Sequence, residues 1–172
     1  RCGTKEGYIP ASLTILTSMF MHGGWLHLIG NMVFLWIFGD NVEDSMGRGK
    51  FIIFYFLCGI AAAYTQAMID PTSEIPMIGA SGAIAGVLGA YLLLHPKANV
   101  NVLLWIFIFI TVVRVPAAIV LGFWIISQFF SLGGSGEGGV AYFAHIGGFI
   151  AGMILIPFFK NSGVPLFEQA HS

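Results

Sequence analysis

Four of the polar side chains inside apolar runs of this chain are of types that could together carry out nucleophilic chemistry. They are Ser81, His27, Asn31 and His145. A serine hydroxyl is a weak nucleophile until a hydrogen-bonded imidazole accepts its proton as a general base. His27 and Asn31 are four positions apart, so they share one helical face and could donate hydrogen bonds to a developing oxyanion. These residue types could provide a serine nucleophile, an imidazole base and hydrogen-bond donors to an oxyanion.

The composition places these residues in a membrane protein. The chain has 172 residues, of which 57% are hydrophobic and 9% charged, whereas soluble domains carry about a quarter charged residues. The formal net charge of −1 leaves no basic surface for nucleic acid. The 2 cysteines provide no disulfide framework. We therefore expect a single domain over residues 1–172 that is embedded in the lipid bilayer.

Five apolar runs predict helices that span the membrane. A hydrocarbon core about 30 Å thick requires roughly 17–25 helical residues. We therefore predict an all-α, polytopic transmembrane helix bundle with about five spanning helices, at 25–41, 51–70, 80–95, 115–130 and 141–159. The runs at 13–21 and 102–113 are shorter. We expect the first to lie against or in the interface, and the second to be an interfacial or re-entrant connector, with a spanning helix as its alternative.

The basic residues predict the orientation of this bundle. Five of them fall in the connections on one side of the membrane: Arg48, Lys50, Lys97, Arg114 and Lys160. The loops 71–79 and 131–140 on the other side contain no Lys or Arg, so the basic side should be cytoplasmic. We expect an outer loop and interfacial segment at 1–24, the bundle at 25–160 and a cytoplasmic tail at 161–172. The expected location is a prokaryotic cytoplasmic membrane.

This topology brings the polar residues to one depth. The first, third and fifth predicted spans all begin on the outer side, so their polar residues lie about 10 Å below the outer surface. Two of these spans carry pairs of glycines four residues apart, which let helix backbones approach closely: Gly82 with Gly86, and Gly148 with Gly152. Close packing of the third and fifth spans would allow Ser81 to reach His145. Since no carboxylate is expected at that depth, the predicted arrangement is a Ser-His dyad and not a triad.

Each feature also has another interpretation. The small residues around Ser81 are typical of helix packing, and Asn31 could join two helices by a hydrogen bond. His22 and His27 could bond to the backbone at the interface. Together with His145 they could also form a haem or metal site, although no acidic or cysteine ligand accompanies them. Polar groups at one depth could line a channel, but no ionisable residue continues toward the cytoplasmic side.

As an ordered set, these residues resemble the rhomboid family of intramembrane serine proteases. The resemblance covers residues 13–160 and rests on the following motifs: His22, His27-xxx-Asn31, Glu43-xxx-Gly47, Gly79-Ala80-Ser81-Gly82 and Ala144-His145-xx-Gly148-xxx-Gly152. It implies that Ser81 is the nucleophile and His145 the general base. It also implies an oxyanion hole formed by His27, Asn31 and the Ser81 backbone N–H.

The resemblance implies further properties. His22 corresponds to a supporting histidine, and Gly79 and Gly82 shape the turn around the serine. The fold is a bundle of six core helices, of which the first is missing from this chain, around a water-filled cavity that opens to the outer side. The substrates are membrane proteins with a single transmembrane segment, and no metal or cofactor is required. The alternative within the family is an inactive rhomboid-like protein that binds membrane clients.

Overall fold

The computed structural model describes residues 11–71, 77–106, 108–131 and 141–167. These residues form six helices and one β-hairpin, in the order α1 Ala11–Ser18, α2 Trp25–Met46, α3 Arg48–Ile69, α4 Ser81–Leu94, β1 Asn99–Ile106, β2 Phe109–Pro116, α5 Ala117–Ser131 and α6 Tyr142–Phe159. Residues 1–10 of the predicted outer loop, most of the loop 131–140 and the end of the predicted tail lie outside the described residues.

Helix α4 is the centre of the fold. Its sequence is apolar on all sides, which is typical of a helix that neighbours surround. Ten of its 14 residues are buried, and α2, α3 and α6 pack around it, while α5 makes a smaller contact. Because Ser81 is the first residue of this central helix, the packing of α4 determines where the serine lies.

The contact between α4 and α6 is a backbone-to-backbone contact. A Cβ atom added to Gly148 would overlap the carbonyl of Gly82, and one added to Gly152 would overlap the carbonyl of Gly86. A Cβ atom on Gly89 would meet the carbonyl of Phe149 in the same way. The predicted glycine pairs therefore lie in this interface, where only glycine permits the observed separation of the two helices.

We expect Gly152→Ala to destabilise the fold. The new methyl group would also lie 2.7 Å from the Gly86 Cα, so the helices must separate, and overpacking of this kind lowers Tm by about 5–10 °C in a chain of this size. Thermal unfolding of the detergent-solubilised protein measures the shift. Gly122→Ala is the matched control, because a Cβ atom at Gly122 meets nothing within 4 Å. Equal Tm values for the two variants would contradict the account of this interface.

Helix α1 is attached to the bundle and to the segment before Ser81. Met19, just after α1, is buried and lies against Gly59 of α3. The carbonyl of Ser18 accepts a hydrogen bond of 2.9 Å from the Gly79 N–H. The placement of the run 13–21 in the membrane interface stays a prediction.

The prediction of an entirely α-helical chain is wrong at 102–113, where the structure has a β-hairpin. Strands β1 and β2 pair antiparallel, from Asn99 opposite Pro116 to Ile106 opposite Phe109. The sequence of the hairpin is rich in Val, Ile, Phe and Trp, which favour strands. The hairpin is attached at its base, where the Ala117 N–H donates a 2.8 Å hydrogen bond to the Ala98 carbonyl. It connects α4 to α5, as expected of this segment, and its interfacial location stays a prediction.

The predicted number of spanning helices is only partly supported. Among the described residues, α3 and α6 are long and apolar enough to cross a membrane, by length and composition. Helices α4 and α5 are apolar but have 14 and 15 residues. Helix α2 has 22 residues, but its last two turns contain Asp40, Glu43 and Asp44. The count of five spanning helices stays a prediction.

Candidate active site

The structure brings Ser81 and His145 into direct contact. Ser81 is the first residue of α4, and His145 lies in the first turn of α6. The Ser81 Oγ is 2.9 Å from the His145 Nε2, a hydrogen-bonding distance for a nucleophile and its base. The close α4–α6 interface positions these two side chains, because each lies in the first turn of one of the two helices that pack together.

The opposite side of the His145 ring contacts α5. The His145 Nδ1 lies 2.8 Å from the Oε1 of Gln128, and the centroid of the Trp124 ring is 5.8 Å from that of the imidazole. Gln128 was not predicted from the sequence, because the usual partner of a catalytic histidine is a carboxylate. A signal was present, since Gln128 is the only amide side chain in the apolar run that forms α5.

His27 lies over the backbone that precedes Ser81. A Cβ atom added to Gly79 would be 2.8 Å from the His27 Cε1 and Nε2 atoms, and Gly79 has a φ of +106°. Both facts require glycine at this position. The Gly23 N–H donates a 3.3 Å hydrogen bond to the His27 Nδ1, which places the imidazole proton on Nε2. The Nε2–H donor of His27 is therefore on the side of the ring that faces the turn before Ser81.

Asn31 is buried on the same face of α2, one turn after His27. Its Nδ2 donates a hydrogen bond of 2.9 Å to the His27 carbonyl. An amide nitrogen carries two N–H groups, so this bond uses only one of them. Asn31 therefore has a second donor, and its side chain borders the same cavity as Ser81.

His22 contacts His27 and is not among the residues that line the cavity beside Ser81. The two imidazole rings are 5.1 Å apart and meet edge to face at 70°. The His22 Nε2 atom is buried and has no hydrogen-bond partner among the described residues. This placement suits a residue that supports His27 through ring contact.

A cavity of about 710 Å³ lies beside Ser81 and His145. All six helices contribute to its walls, which include His27, Asn31, Ser81, Trp124 and His145. Helix α1 contributes Ile15 and Ser18 to the same wall. Within the described ranges, no group of three or more His, Cys, Asp or Glu side chains is arranged to hold a metal ion. The chemistry that the lining offers is a serine, its base and hydrogen-bond donors.

Comparison with known proteins identifies the family. The family model described as the rhomboid domain matches residues 11–162, a range that contains every residue of the candidate site. The chain belongs to the rhomboid family. Rhomboids are membrane proteins, and α3 and α6 have the length and composition of membrane-spanning helices.

Several curated relatives show how this rhomboid compares. Rhomboid protein 1, mitochondrial, of Saccharomyces cerevisiae is 30% identical over 156 residues, which cover 87% of this chain and 42% of the relative. Rhomboid protease GluP of Bacillus subtilis is 38% identical over 93 residues, or 52% of this chain and 18% of the relative. Rhomboid-like protein 11, chloroplastic, of Arabidopsis thaliana is 28% identical over 170 residues, or 90% of this chain and 56% of the relative.

These relatives limit what can be carried over to the present rhomboid. The chain spans at most 56% of the length of the three relatives described. Two of them are named as mitochondrial or chloroplastic, and the third comes from a bacterium. The expectation of a prokaryotic cytoplasmic membrane therefore receives no support from them.

Proposed function

We propose that this rhomboid is a serine endopeptidase that cleaves transmembrane segments of membrane proteins with a Ser81–His145 dyad. The observation that carries the proposal is the 2.9 Å contact between the Ser81 Oγ and the His145 Nε2, beside a cavity that a substrate could enter. The names of two relatives support it, a rhomboid protease of Bacillus subtilis and a rhomboid-like protease of Toxoplasma gondii.

The geometry suits acyl transfer. His145 Nε2 accepts the hydroxyl proton while the Ser81 Oγ attacks the scissile carbonyl carbon. The bond to the leaving nitrogen then breaks, and that nitrogen takes the proton from His145. Water from the cavity hydrolyses the resulting ester and regenerates Ser81. No metal or cofactor takes part in these steps.

Three groups that can donate hydrogen bonds belong to residues that border the cavity. Ser81 begins α4, so its backbone N–H has no acceptor within the helix and lies at the positive end of the helix dipole. The His27 Nε2–H and the second N–H of Asn31 belong to the neighbouring α2. We propose that these three groups form the oxyanion hole, with His22 supporting His27.

The placement of charge supports an active site on the outer side. Ser81 and His145 each lie at the N-terminal end of their helix, whereas Lys50 and Lys160 lie at the opposite end of the bundle. There the Lys50 Nζ donates a 3.1 Å hydrogen bond to the Oδ1 of Asn161, and Lys160 follows the end of α6. An excess of Lys and Arg marks the cytoplasmic side of membrane proteins.

The proposal is tested by incubating the full-length protein in liposomes with single-span membrane proteins and mapping the products by mass spectrometry. We expect cleavage inside or at the edge of the spanning segment. The alternative is an inactive rhomboid-like protein that binds membrane clients, and the printed name of Rhomboid-like protein 11 does not call it a protease. That alternative predicts co-purification of the client without any cleaved product.

Asn31→Ala should lower kcat by about 10²-fold, because removing one oxyanion donor typically costs about 10²–10³-fold and the other donors remain. Cleavage kinetics in detergent measure the loss, and KM should change little. Asn41→Ala is the matched control, since Asn41 is exposed on the same helix, about 15 Å further along it. An unchanged kcat in Asn31→Ala would remove Asn31 from the oxyanion hole.

A further inference from the structure

Gln128 lies in the polar contact network around His145. Its side chain is 9% exposed, and its amide takes part in three hydrogen bonds. The Oε1 meets the His145 Nδ1 at 2.8 Å, and the Nε2 donates to the Trp124 carbonyl at 3.2 Å and to the Ser127 Oγ at 3.1 Å. Both ends of the amide therefore have hydrogen-bond partners. A methionine could fill the same space in this apolar helix, so packing alone does not explain the amide.

The partners of Gln128 determine which end of the amide faces the histidine. The Trp124 carbonyl can only accept a hydrogen bond, so the NH₂ group of the amide must face it. The Ser127 hydroxyl donates its own proton to the same carbonyl at 2.6 Å. Its oxygen is therefore available to accept from the Gln128 NH₂ group. The amide oxygen is left to face His145.

This orientation fixes the tautomer of the imidazole. An amide oxygen has no proton to give, so the His145 Nδ1 must carry the proton in the 2.8 Å hydrogen bond. In the neutral ring the Nε2 atom then has a lone pair, and that lone pair points at the Ser81 Oγ. The other tautomer would present an Nε2–H to the hydroxyl and could not accept its proton.

We propose that Gln128 is a positioning residue that holds His145 in the Nδ1–H tautomer, as an uncharged counterpart of the carboxylate in a Ser-His-Asp triad. The proposal rests on the proposed function for its effect on rate. Its claim about the tautomer does not depend on activity. The amide dipole of Gln128 therefore orients the base without adding a charge beside it.

Gln128→Met tests the effect on rate. Methionine has a similar volume but cannot accept the Nδ1 proton, so kcat should fall by about 10- to 100-fold while KM changes little. Gln128→Glu keeps an accepting oxygen, and its kcat should stay within about 10-fold of wild type. Phe129→Met is the control, because it adds the same side chain to the outward face of α5, where Phe129 is 54% exposed. A wild-type kcat in Gln128→Met would overturn the proposal.

The imidazole ¹⁵N resonances test the tautomer directly. In the ¹⁵N-histidine-labelled protein we expect His145, assigned by the signals lost in His145→Asn, to be protonated at Nδ1 in the neutral ring. In Gln128→Met the Nε2–H form should become populated, whereas a purely structural role would leave the tautomer unchanged and thereby refute the inference. Because this measurement needs no turnover, it decides the role of Gln128 even if the wild-type protein cleaves nothing, which would contradict only the proposed function.

Discussion

Ser81→Ala is expected to abolish cleavage, with kcat lowered at least about 10⁴-fold, as when the nucleophile of a serine protease is removed. The change deletes the oxygen that lies 2.9 Å from His145. Alanine favours a helix, and Ser81 borders a cavity, so the fold should not change. Product formation from a single-span substrate, followed by gel and mass spectrometry, measures the loss.

The matched control for this variant is Ser45→Ala. The Ser45 hydroxyl bonds to the Val42 carbonyl of its own helix at 2.7 Å, at the end of α2 away from the cavity. Cleavage should therefore continue in Ser45→Ala. If Ser81→Ala kept cleaving its substrate while remaining folded, another group would have to be the nucleophile, and the proposed mechanism would be wrong.

His145→Ala should cause a loss of similar size, because Ser81 would then have no base to accept its proton. In serine proteases the nucleophile and its histidine act as one unit, and removal of either costs about as much as removal of both. The double variant Ser81→Ala, His145→Ala should therefore be no less active than either single variant. Initial rates at high enzyme concentration measure the residual activity of all three.

His95→Ala is the control for the histidine. His95 follows the last residue of α4, about 20 Å along the helix from Ser81. Its loss should leave kcat and KM close to wild type. Additive losses in the double variant would show that His145 and Ser81 act independently, which contradicts a dyad.

The sequence predicted the positions of the long helices well and their ends less well. The run 25–41 stops where Asp40 interrupts the apolar residues, but α2 continues to Met46. Charged residues end an apolar run without ending a helix. The helix ends at Gly47, where φ is +86° and the N–H donates to the Glu43 carbonyl at 2.6 Å. Hydropathy therefore predicts where α2 lies, whereas Gly47 determines where it ends.

Hydropathy did not distinguish the β-hairpin from a helical or irregular connector. The run 102–113 is apolar at every position except Thr111, so it has neither the period of a helix nor that of a strand. Its content of β-branched and aromatic residues favours a strand, whereas its length and hydropathy favour an interfacial or re-entrant connector. Charge and hydropathy alone do not determine the secondary structure of such a segment.

The Ser81–His145 pair was predictable, because both residues lie on helices that carry glycines four residues apart. The glycines of α4 and α6 indicated that these helices approach closely, and the structure places Ser81 and His145 across that interface. The contact between Gln128 and His145 could not be read from the sequence, because it depends on the rotation of α5 against α6. A neutral amide also escapes a search for charged groups in a membrane segment.

The central claim is that His145 activates Ser81, and covalent labelling with a fluorophosphonate probe tests it most directly. The full-length protein in detergent, Ser81→Ala and His145→Ala are each treated with the probe, checked for a folded state and examined by intact mass spectrometry. We predict one adduct on the wild-type protein, located at Ser81 by peptide mapping, and none on either variant. A folded wild-type protein that remains unlabelled, or an adduct that persists in Ser81→Ala, would contradict the account.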